Sequence, residues 1–213
     1  MKCRCHRTVA TVIAAVGLVA VLRRWSLRWG ATHDELGREL PGDDLTPAAD
    51  LVSTRAITIE ADADDVWPWI AQLGQGRAGF YSYDLLENLA GADIHNASTI
   101  VDEWQNIGVG DVVHLAPEVA LTVAAIEPRR ALVLHAGTSM GPMPVPYEFT
   151  WAFVLRELPN GATRLVVRER YVYLHCWARV LVEPVEFISF LMTQRMLRGI
   201  RERVLSQGAT LAR

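Results

Sequence analysis

The chain has 213 residues, 51% of them apolar, and a formal charge of −3. That length suits one domain of ordinary size with a substantial core, and no basic field is present to attract nucleic acid. Cys3 and Cys5 sit at the N-terminus and Cys176 stands alone much later, which excludes a disulfide framework in the folded part and any metal-type cysteine spacing.

Residues 1–7 form a basic tail. Thr8–Leu22 follows, a run without charge, bracketed by Lys2, Arg4 and Arg7 before it and by Arg23, Arg24 and Arg28 after it. As a helix this run is about 22 Å long at about 1.5 Å per residue, against a hydrocarbon core of about 30 Å. It spans only if the flanking arginines extend their charged heads to the interface. Trp25 and Trp29 would then stand in an interfacial aromatic belt. The expectation is a single-pass anchor over residues 8–24 in the cell membrane. The rival is a cleaved signal, against which the Arg-Arg-Trp ending argues, since cleavage favours small residues. Basic residues tie across the run, so the side of the membrane is open.

Residues 25–52 are acidic, with Gly and Pro, and read as a linker. Arg55–Glu60 alternates as a strand does. Asp62, Asp64 and Asp65 then open a short helix, where acidic side chains suit the N-terminal dipole. Gly74, Gly76 and Gly79 make a loop, and Ser82 or Tyr83 opens a second short helix that Gly91 ends. Gly110–Leu115, Ala120–Ile126, Ala131–Ala136, Tyr147–Leu155 and Thr163–Val172 are five further strands. The connections are too short for crossover helices, which predicts antiparallel pairing. Pro184–Ser206 is a long helix with Val185, Ile188, Met192, Met196 and Ile200 on one apolar face. Pro184 is expected in its first turn. Residues 208–213 form a tail.

This order predicts an α+β fold: a curved antiparallel sheet wrapped round a terminal helix, with a cavity where the two do not fully meet. It resembles the helix-grip fold of the START-like (SRPBCC) superfamily. The stretch RAITIEADADDVWPWIAQLGQGRAGFYSYDLLENLAG, with its Val-Trp-x-Trp and Gly-rich segments, resembles the domain start in the bacterial polyketide cyclase/dehydrase-like branch. GATRLVVRERY resembles the family's penultimate strand before the gripped helix. The likeness covers about residues 53–207 and implies a fold that serves lipid carriers, hormone receptors and cyclases alike. The N-terminal segment is not part of that pattern.

Gly74-Gln75-Gly76-Arg77-Ala78-Gly79 matches G-x-G-x-x-G but follows a helix instead of a strand, so it reads as a tight loop, not a dinucleotide site. That loop is expected to turn Phe80, Tyr81 and Tyr83 toward the cavity mouth. Asp84 and Glu87 are helical neighbours and form a candidate acid–base pair; the alternative is a cap and a solvated side chain. His95 is the candidate proton-transfer histidine, with a structural role as its rival. No histidines or carboxylates show zinc spacing. On the last two strands, alternation puts Tyr147, Phe149, Trp151 and Phe153 on one face and Glu148, Thr150, Ala152 and Val154 on the other. Which face is concave stays open. An aromatic lining makes the cavity greasy; the other face offers a pair of Glu148 with Arg168 or Arg170 to a polar ligand group.

The functional expectation is a membrane-anchored binding protein for a hydrophobic small molecule or lipid. Tyr81, Tyr83, Trp104, Trp151, Ile188, Met192 and Met196 are the candidate ligand-binding residues. The alternative is a cofactor-independent cyclase or dehydratase of a polyketide-like carbonyl compound, with His95, Asp84 or Glu87 moving protons and Tyr81 or Tyr83 stabilising an enolate. No cofactor, metal, nucleic acid or protein partner is expected.

Overall fold

The computed structural model describes residues 2–84, 88, 93–137, 140 and 145–211. Helix α1 spans Lys2–Ser26 and α2 spans His33–Gly37. Strand β1 (Leu51–Ile59) leads to α3 (Ala63–Ala71), which carries Asp64 and Asp65 in its first turn. Strands β2 (Val112–Ala116), β3 (Val119–Glu127), β4 (Ala131–Ala136), β5 (Tyr147–Glu157) and β6 (Thr163–Tyr173) follow. Helix α4 (Ala178–Leu211) closes the chain. The second short helix expected to end at Gly91 falls mostly outside the described residues.

The six strands form one antiparallel sheet in the order β1-β6-β5-β4-β3-β2. This is the α+β arrangement expected, with the terminal helix lying against one face. Alternation decides the inner face. On β5 it is Phe149 and Phe153 that join the main core, and on β6 Leu165, Val167 and Tyr171. On β1 the inward set is Leu51, Ser53, Arg55, Ile57 and Ile59, all buried. The core is completed by α3 (Val66, Trp69, Ile70) and by Leu197, Ile200 and Val204 of α4. Gly199 lets α4 come close, because a Cβ there would collide with the Tyr81 carbonyl oxygen.

Helix α4 starts six residues before the expected Pro184, which therefore lies inside it. An interior proline forfeits one backbone hydrogen bond. Burial of Ala178 and Val182 holds the preceding turns in place.

Residues 25–52, expected as a linker, lie on the domain. The carbonyls of Leu27 and Trp29 accept from Thr54 N (2.8 Å) and Ala56 N (3.1 Å), covering the free edge of β1. Gly30 adopts φ 72°, and a Cβ there would strike the Ala56 carbonyl. Residues 32–46 then cross the convex face of the sheet. Glu35 pairs with Arg164 at 2.8 Å, and Asp43 with Arg168 at 2.5 Å. Leu40 packs on Ala56 and Val166.

The expectation of a single-pass membrane protein is overturned. Among the described residues no helix is long and apolar enough to cross a membrane. The uncharged run is short, and the residues that follow it are committed to the domain. Arg23 Nε and Nη2 each donate to Glu183 of α4 at 2.7 Å. Ser26 and Leu27, just beyond, are buried.

Candidate functional site

Between the inner face of the sheet and the first half of α4 lies a cavity of 420 Å³. The sheet contributes Tyr147, Phe149, Trp151 and Tyr171, with Phe80 from the Gly-rich loop. Helix α4 contributes Val185, Ile188, Met192 and Met196. Val185 and Ile188 are also about half exposed, at 49% and 56%, so the cavity opens beside the first turns of α4.

One end of this wall is polar. Glu169 on β6 lines the cavity with Ser189 and Thr193 of α4. Its carboxylate accepts from Ser189 Oγ (2.9 Å), Thr193 Oγ1 (3.1 Å), Ser53 Oγ (3.2 Å) and Arg55 Nη1 (3.2 Å). Arg55 also pairs through Nη2 with Glu186 and donates through Nε to the Ser26 carbonyl at 3.0 Å. Glu169, Arg55 and Glu186 are each at least 97% buried. Burial raises the Glu186 carboxyl above its ordinary value; Arg55 opposes the rise and Glu169 adds to it. Burial also raises the phenols of Tyr147 and Tyr171. Two carboxylates and one guanidinium thus share a buried compartment at the polar end of the cavity. Trp151 Nε1 is a further buried donor, with no hydrogen-bond partner among the described residues.

Of the sequence-derived candidates, Trp151, Ile188, Met192 and Met196 line the cavity. Tyr81, expected at its mouth, is instead buried beneath α3. Its hydroxyl accepts from Gln72 Nε2 (2.8 Å) and donates to the Trp69 carbonyl (3.1 Å). The Arg203 guanidinium covers its ring at 4.7 Å. These contacts tie α3 to α4. Tyr83, expected beside it, is 46% exposed and does not line the cavity. Trp104 packs partly buried at the core edge, its carbonyl accepting from Arg77 Nη2 at 2.5 Å. His95 points to solvent with its side chain 83% exposed, 3.4 Å from Asp93. Asp84 is exposed beside Asn96. Glu87 lies outside the described residues. Arg168 and Arg170 face away from the cavity, held by Asp43.

Glu169, Arg55 and Glu186 escaped the sequence reading, although signals existed. Glu169 sits in the inward alternation Leu165-Val167-Glu169-Tyr171, and Arg55 in the inward set of β1. Glu186, Ser189 and Thr193 form a polar stripe at helical spacing along α4. Among the described residues no group of His, Cys, Asp and Glu is placed to hold a metal ion.

No protein-family profile and no curated protein matches the chain. Similar solved structures exist. Norcoclaurine synthase from Thalictrum flavum, in complex with dopamine and hydroxybenzaldehyde, has 16% identity and a TM-score of 0.49, over 80% of this chain and 94% of its own. Protein MLL2253 from Mesorhizobium loti has 13% identity and a TM-score of 0.41, over 72% and 97%. CalU16 from Micromonospora echinospora has 13% identity and a TM-score of 0.34, over 76% and 88%. Likeness at this level concerns fold, and no activity is read from it.

Proposed function

We propose that residues 53–207 form a binding domain for an apolar small molecule, held between the sheet and the first half of α4. The observation that carries this reading is the 420 Å³ hollow walled by aromatic and methionine side chains. Ligand cavities typically run from about 300 to about 1,000 Å³, with apolar walls and few polar groups. Burying ligand surface there yields about 25 cal/mol per Å², and methionines adapt the wall to the shape of the guest. Trp151, Ile188, Met192 and Met196 are the contact residues, and Glu169 sets orientation.

The enzymatic alternative required His95, Asp84 or Glu87 at the ligand. His95 and Asp84 are at the surface, which gives this alternative no support from them, and Glu87 lies outside the described residues.

The neutral fluorophore N-phenyl-1-naphthylamine tests the reading. The protein should bind it with enhanced emission. Met192→Trp, which fills the hollow, should weaken binding roughly tenfold or more while keeping the far-ultraviolet dichroism unchanged. Equal binding by both proteins would place the probe elsewhere and refute the proposal.

A further inference from the structure

Most polar groups of the cavity wall are already spent within the protein. A hydroxyl has one hydrogen to donate. Ser189 Oγ and Thr193 Oγ1 give theirs to Glu169, and Ser82 Oγ gives its own to Met192 Sδ at 3.4 Å. Glu169 marks the polar end of the hollow, but its carboxylate also receives Ser53 and Arg55. It is charge-paired with Arg55 at 3.2 Å. No other described lining residue is charged. The wall therefore holds no free cation and no unpaired anion.

Trp151 stands apart from this pattern. It lies opposite Glu169 in the register of β5 and β6, on the face that lines the cavity. Its ring packs against Phe80, with centroids 5.8 Å apart, and against Phe153 at 4.8 Å. Neither neighbour carries an acceptor atom. Nε1 is a buried donor with no hydrogen-bond partner among the described residues, and an indole nitrogen can only donate. An unpaired buried donor is unfavourable, and a partner that reaches it recovers the loss. Nε1 lies within the wall, so the lining must shift for that partner to arrive. Met192 and Met196 are lining residues flexible enough to allow it. Tyr147 and Tyr171 keep their protons because burial raises both phenols, which adds O–H groups to the same wall.

We infer that the preferred guest is a neutral molecule bearing a hydrogen-bond acceptor, an apolar body with a carbonyl oxygen that receives the Trp151 indole N–H. This rests on the binding reading above and narrows it to a chemical class. A cationic guest would find Glu169 already paired. A carboxylate would find no free cation in the wall. A hydrocarbon would leave Nε1 without a partner.

Two probes of equal frame test the inference on the full chain: 1-acetylnaphthalene, and 1-isopropenylnaphthalene, in which a methylene replaces the oxygen. Displacement of N-phenyl-1-naphthylamine reports that each is bound. Nuclear magnetic resonance then follows the indole N–H of Trp151, assigned by its contacts to the rings of Phe80 and Phe153. At saturation the ketone should hold this proton downfield of its position with the hydrocarbon. The infrared carbonyl band of the bound ketone should fall below its position in hexane. The ketone should also displace the fluorophore roughly tenfold more readily than 1-naphthoate. The inference is overturned, and the binding reading left standing, by an indole proton at one position with both probes or by a carbonyl band at its hexane position. A naphthoate that competes better than the ketone, or a hydrocarbon that binds where the ketone does not, overturns it equally. Failure of the fluorophore and of every probe to bind overturns both readings.

Discussion

Glu186 has 3% of its surface exposed, and Arg55 is its partner. A carboxyl whose folded value is raised holds its proton more tightly in the native state than in the unfolded chain. Its ionisation therefore opposes folding as pH rises from its ordinary value of 4.5 through the raised folded value. Glu186→Gln should remove that slope, so that thermal midpoints measured from pH 4 to 8 fall less with rising pH in the variant. A variant curve parallel to wild type would mean that Glu186 titrates normally. The only local mark was the polar stripe that Glu186 shares with Ser189 and Thr193, and its meaning shows only once its long-range partner, Arg55, is in view. His95 teaches the converse. Its chemistry attracts notice in any sequence, yet its side chain stands in water.

Among the elements, the segment before β1 departs most from its sequence reading. Acidic residues with Gly and Pro describe a linker by composition, and partners more than a hundred residues away cannot be read from spacing. Yet Thr32 and Glu35 form a capping box at the start of α2, and Glu35 then reaches Arg164. Burial on its own would raise the Glu35 carboxyl, but bonding and charge from Arg164, with help from Thr32, bring it down to about 2. Its contribution to stability is complete above its ordinary value of 4.5 and is lost as pH falls toward 2. Glu35→Ala leaves Arg164 largely buried without its counter-ion and should cost about 3 kcal/mol in urea unfolding at neutral pH. That deficit should shrink toward pH 2, where wild type has lost the same pair. The strands were the legible part, because their β-branched and aromatic runs stand between turn formers, although β1 begins earlier than expected, at Leu51.

For the molecule as a whole, element order was enough to foresee a curved sheet around a terminal helix. It was not enough to say which side of the sheet is hollow. Both sides of β5 are buried: Phe149 and Phe153 toward α4, Thr150 and Ala152 beneath the segment that crosses the convex face. Two apolar faces give alternation no preferred direction. The cavity residues on α4 were legible from helical spacing, whereas the charged compartment behind them depends on register between β1 and β6, where Ser53 stands opposite Glu169.

Pro184 sits two turns into α4, just before Val185 and Ile188 at the open side of the cavity. Lacking an amide hydrogen, it deprives the Val180 carbonyl of its usual partner. The helix therefore carries one backbone hydrogen bond fewer beside the open side of the cavity. Ala178 and Val182 keep the leading turns packed, so the missing bond loosens the backbone only locally, while the second half, from Leu197 to Val204, sits in the core. Amide exchange should show protons at 181–188 replaced faster than those at 196–204, and a bound guest should slow the first group selectively. Uniform protection along α4 would mean that Pro184 does not weaken the helix locally.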